Sequence, residues 1–153
     1  MDNGTKIKLP SFISSHEQVY FYIQELNRNR SSVANQEKIK EPLRSYLIGL
    51  SETDEISATL IDNFLEVLIE TKENAPRFHV VFADYPEREI RTKITSWFRN
   101  NIHPRALISF RYDSLLVGGL VVRSRNKIFD FSFRNKLQNS KLKPVDILEN
   151  VAK

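Results

Sequence analysis

The feature that most constrains this chain is the adjacent pair Gly118-Gly119, set inside the apolar run Leu115-Leu-Val-Gly-Gly-Leu-Val-Val122. The chain has only four glycines. Two together within a β-branched run mark a bulge or sharp bend where a side chain would not fit. Beyond the run come a polar turn at Ser124-Arg125-Asn126, a second apolar run from Ile128, and Ser132 placed to start a basic helix. That order reads as a hairpin feeding a terminal helix.

Ahead of this hairpin the pattern has helical spacing. Ser14 with Glu17, and Ser15 with Gln18, fit a capping box; Val19, Tyr22, Ile23 and Leu26 follow as one stripe. In Tyr20-Phe21-Tyr22, neighbouring positions point in different directions, so one ring should leave the stripe. A second helix carries Ile39, Leu43, Tyr46, Leu47 and Leu50, with Pro42 marking a kink or its first turn. A third, over residues 54–73, presents a face wide enough for the centre of a bundle, from Ile56 and Leu60 to Leu68 and Ile69. Asn74-Ala75-Pro76 ends it.

From Arg77 the period changes. Phe78, Val80 and Phe82 alternate as a strand; Ile90, Ile94, Trp97 and Phe98 stripe a helix over 85–100; residues 106–112 read as a second strand. The predicted fold is α+β: about three helices in a region spanning 1–75, then a strand-helix-strand-strand-helix domain over 76–153.

Charge divides along the same line. Between Glu52 and Glu73 seven acids face the single base Lys72, whereas from Gly119 to Lys143 seven bases face Asp130 alone. A formal charge of +4 allows an acidic protein face, acidic lipid or nucleic acid as partner. There is no cysteine, which excludes disulfides and thiolate chemistry. No apolar run approaches the ~20 residues of a membrane span. The first ten residues resemble neither a signal nor a transit peptide, and read as the start of an unprocessed cytoplasmic protein. His16, His79 and His103 lack ligand spacing, and the glycine pair lacks the Lys-Ser/Thr of a phosphate loop, so no metal, cofactor or catalytic group is assigned. Phe129, Phe131 and Phe133, alternating with Asp130 and Ser132 among Arg123, Arg125, Lys127 and Arg134, fit either a core face of one strand or a platform for single-stranded RNA; the core is the simpler expectation.

An acid, two or three residues, Leu-Val-Gly-Gly-Leu-Val-Val-Arg, then Lys-Ile-x-Asp-x-Ser-x-Arg-x-Lys-Leu resembles the C-terminal domain of the delta subunit of F-type ATP synthases, whose mitochondrial counterpart is the oligomycin-sensitivity-conferring protein. The likeness covers about residues 77–137 and rests on Gly118, Gly119, Arg123, Asp130, Ser132, Arg134 and Leu137. Tyr112 and Phe131 depart from it, standing where the family tends to an aliphatic and a small residue. The resemblance implies a non-catalytic connector of the peripheral stalk. Its helical domain would grip alpha subunits and its C-terminal domain the ends of b subunits, at the cytoplasmic face of the membrane, in proton-driven ATP synthesis. The family's N-terminal domain has six helices, and about 75 residues hold three, so the helical region is expected to be a shortened version. A small RNA-binding protein using the basic, Phe-rich half is the alternative.

Overall fold

A computed structural model describes residues 7–31 and 36–139. The fold is α+β, in the order α1 (His16–Asn29), α2 (Leu43–Leu50), α3 (Ala58–Asn74), β1 (Arg77–Phe82), α4 (Arg88–Asn101), β2 (Leu107–Tyr112), β3 (Leu120–Arg123), β4 (Ile128–Asp130) and α5 (Phe133–Asn139). Contacts group the chain into two units, Met1–Pro76 with Thr92–Leu107, and Arg77–Arg91 with Ile108–Lys153.

In the first unit, α1 starts where the sequence predicts. Gln18 N–H donates to the Ser15 hydroxyl at 3.3 Å and the Gln18 side-chain oxygen accepts the Ser15 N–H at 3.0 Å, closing the capping box. Val19 and Leu26 are buried, Tyr22 and Ile23 half-buried, and both Tyr20 and Phe21 lie outside the stripe. Helix α2 begins at Leu43, later than the spacing from Ile39 predicts, with Pro42 at its N-cap after a cis peptide bond. Helix α3 begins at Ser57, whose hydroxyl accepts from Leu60 N–H at 3.1 Å. The residues just before it are taken by a turn in which the Ser51 hydroxyl donates to Glu55 C=O at 2.7 Å. Its end agrees with expectation: Ala75 is the C-cap. Leu26, Leu43, Leu47, Ile61, Phe64 and Leu68 centre a core that Leu9 and Ile13 join from the preceding arm. Burying such side chains is the main stabilising term.

A four-stranded sheet in the order β2-β1-β3-β4 makes up most of the second unit. β1 runs antiparallel to β3, with Val80 opposite Val122, and β3 antiparallel to β4, with Val122 opposite Phe129. The N–H groups of Leu107 and Asp113 donate to Pro76 and Phe82 at 2.9 and 2.8 Å. These bonds advance along both chains in the same sense, so β2 is parallel to β1, joined by a helical crossover as parallel neighbours require. Along one face, burial falls from Val80 on β1 through Val122 on β3 to Phe129 on the edge strand β4.

Three sequence expectations are corrected here. The residues before the glycine pair are not a strand: β3 begins only at Leu120, and Leu115 and Val117 sit exposed in a loop. The three phenylalanines are not a core face of one strand. β4 stops at Asp130, Phe131 lies in the connection and Phe133 opens α5, so each ring stays about half exposed. In α4 the buried stripe runs through Thr95 and Phe98, leaving Ile90 and Trp97 exposed.

Candidate functional site

The glycine pair and the β4–α5 connection form one knot. Gly118 and Gly119 have φ of +71° and +76°, in the left-handed region where a Cβ is strained. Space excludes a side chain as well. A Cβ on Gly119 would lie 2.8 Å from the Ser132 Cα, against backbone, while one on Gly118 would meet the Phe133 ring, 2.6 Å from its Cε2. Phe131 N–H donates to Leu120 C=O at 2.9 Å and Phe133 N–H to Gly118 C=O at 3.3 Å, so the backbones are bonded directly where the glycines pass.

Ser132 closes the knot from the other side. It is buried, its N–H donates to the Asp130 carboxylate at 2.9 Å, and its hydroxyl accepts from Asn135 N–H at 3.3 Å as the N-cap of α5. The Asn135 amide returns a bond to Asp130 C=O at 2.7 Å. Hydrogen bonds from the Ser132 hydroxyl, and then its N–H, hold the exposed Asp130 carboxyl below its ordinary pKa.

Around this knot lies a surface both apolar and basic. Phe129, Phe131 and Phe133 are 46, 53 and 54% exposed, and Ile128 is 68% exposed beside them in sequence. The Lys136 ammonium lies 5.8 Å from the Phe133 ring centroid. Arg123, Arg125, Lys127 and Arg134 add exposed cations. Large rings left in water beside cations are what a docking surface needs, because they gain from burial only when a partner arrives.

Of the residues singled out in the sequence, Gly118, Gly119, Asp130 and Ser132 are brought together in the knot. Arg123 ends β3, opposite His79 on β1 and Ile128 on β4. Arg134 is exposed on α5, which also carries Leu137, whose side chain lies outside the described ones. Exposed Leu115 and Val117 were missed, because apolar residues beside a possible bulge read as strand until the positive φ of both glycines places them in a loop. His79 buries its Nδ1 without a hydrogen-bond partner among the described residues, and no group of three or more His, Cys, Asp or Glu could hold a metal ion there.

The family model for the ATP synthase delta (OSCP) subunit matches residues 31–143. The chain belongs to that family. A delta (OSCP) subunit is part of the peripheral stalk of the ATP synthase, and no helix among the described residues is long and apolar enough to cross a membrane. The match runs from the helical unit through the knot and onto α5. No curated protein matches the chain.

In the helical unit, a second apolar group lies on α1 and α3. Tyr20, Phe21 and Ile69 are exposed, and the Lys72 ammonium sits 5.4 Å from the Tyr20 ring centroid. Here the surrounding charge is acidic, the opposite of the surface around the knot.

Proposed function

We propose that this chain is a non-catalytic connector that ties the alpha subunits of the catalytic head to the b subunits of the stalk, so that the head does not turn with the rotor during proton-driven ATP synthesis. Residues 1–75 are the part assigned to the alpha subunits and residues 76–153 the part assigned to the b subunits. The connector works at the cytoplasmic face of the membrane, held there through its partners. The observation that carries this reading is the family match over 31–143, reaching both units. The exposed Phe129, Phe131 and Phe133 beside cations support the second contact: an amphipathic helix end with an acidic rim would cover the rings and meet the bases. A connector needs rigidity and two separate faces rather than a tuned acid or base.

The test is affinity capture of the tagged full chain from detergent-solubilised native membranes. Recovery of both alpha and b subunits in fixed ratio supports the assignment; recovery of neither, with an intact synthase in the unbound fraction, contradicts it.

The exposure of the three rings also favours a second reading, in which single-stranded RNA stacks on them among the bases. The acid at Asp130, held charged within the same segment, weighs against it.

A further inference from the structure

The helical unit contains a cleft of about 400 Å³ whose charged lining is basic throughout. Lys8, Arg99 and Arg105 line it, with Ser11, Ser96 and Asn100 as neutral hydrogen-bonding groups, and no lining residue is an acid. Ile7, Leu9 and Pro104 supply apolar wall. The unit as a whole is close to neutral, with twelve acids and eleven bases, so three bases and no acid in one cleft are a local concentration of charge. A basic concavity concentrates positive potential where low-dielectric walls focus it.

Arg99 is the anchor. Its Nη1 donates to Leu9 and Pro10 C=O at 3.1 and 2.9 Å, its Nη2 to Ile13 C=O at 2.5 Å, and its Nε to Ala106 C=O at 3.3 Å. All four acceptors are neutral carbonyls, so the guanidinium is positioned without its charge being cancelled. Burial lowers its pKa to about 10, the sign of a cation that an incoming anion would stabilise. Arg105 is held by an ion pair with Glu70, which is not part of the lining.

We propose that this cleft binds a small phosphate monoester, with the phosphate against Lys8 and Arg105 in the field of Arg99 and a compact apolar or ring body against Ile7, Leu9 and Pro104. A volume of 400 Å³ suits a small molecule rather than a chain segment or a pair of acyl tails. The ester could come free in solution or as a lipid headgroup, and the cleft's size favours the free form.

Calorimetric titration of the full chain tests this with phenyl phosphate, inorganic phosphate and phenol. Saturable binding is expected in the order phenyl phosphate, then inorganic phosphate, with none for phenol. Lys8→Gln and Arg105→Gln should each weaken phenyl phosphate by about tenfold, the worth of one charge-assisted hydrogen bond. Glu70→Gln should strengthen it by releasing Arg105. Because Lys8 is exposed, its variant keeps the test independent of any folding defect in the others. Vesicles containing phosphatidic acid should not sediment the chain; sedimentation lost in the Lys8 variant would assign the site to a lipid headgroup and overturn the free-ester form. Equal binding of phenol, or phenyl phosphate affinity unchanged in the Lys8 and Arg105 variants, would overturn the proposal.

Discussion

The two units solve the folding problem differently. The helical unit buries Ile13, Val19, Leu26, Leu43, Leu47, Ile61, Phe64 and Leu68 completely, so its stability comes from apolar area removed from water. In the second unit, the buried aliphatics among the described residues are Val80, Val81, Ile108 and Val121, while Leu115, Val117, Ile128 and three phenylalanines face solvent. Local backbone chemistry does more there: two glycines at positive φ, a capped α5, and a hairpin turn in which Ser124 N–H donates to Lys127 C=O at 2.8 Å. The contrast teaches that apolar surface not spent on the unit's own core remains for a partner, and that backbone geometry holds it in place.

The largest effect should come from the core of the helical unit. Phe64→Ala is expected to cost about 3–5 kcal/mol in denaturant unfolding, whereas Phe131→Ala should stay within about 0.5 kcal/mol because its ring is already half in water. Similar losses at both sites would erase the comparison. Next, Gly119→Val should destabilise by about 1–3 kcal/mol, since positive φ and a backbone obstacle act together. Gly118→Val should cost less if the Phe133 ring can swing aside. As a control, Gly49 in α2 meets nothing within 4 Å, so Gly49→Ala should stabilise by about 0.5–1 kcal/mol. Thermal melts showing the same sign for Gly49 and Gly119 would mean that the pair is not conformationally special.

Ser132→Ala removes the α5 cap and should cost about 1 kcal/mol in denaturant unfolding. The pH dependence of the knot is smaller still. Asp130 is depressed in the fold, so its contribution is present above the ordinary carboxylate pKa and is lost as pH falls through the lower folded value. Asp130→Asn should flatten that part of the acid limb; an unchanged acid limb would show that Asp130 does not contribute to it.

Much of this was legible in the sequence, for physical reasons that differ by element. Caps are local, so Ser15 with Gln18 and Ser132 announced their helices, and Asn74-Ala75-Pro76 announced an end. The start of α3 was not legible, because the Ser51 hydroxyl takes the Glu55 carbonyl into a turn that spacing does not reveal. A bend at Gly118-Gly119 was readable from composition alone. Its consequence was not: exposed Leu115 and Val117 look like strand residues until the positive φ values take the chain out of the sheet. The alternation of Phe129, Phe131 and Phe133 suggested one buried face, but alternation says nothing about where a strand stops. Arg99 could not be found, since the arm carbonyls it holds lie 86 to 90 residues away in the chain.

We propose that the surface around the knot takes a protein helix through apolar contact with a charged rim. Titration of the full chain with a peptide copying the end of a b subunit, and with a single-stranded oligouridylate, at low and at physiological salt, decides this. Peptide affinity should fall only modestly with salt and drop in Phe131→Ser and Phe133→Ser, with RNA binding weak at physiological salt. Tight RNA binding with the steep salt dependence of counterion release, and no peptide binding, would contradict it.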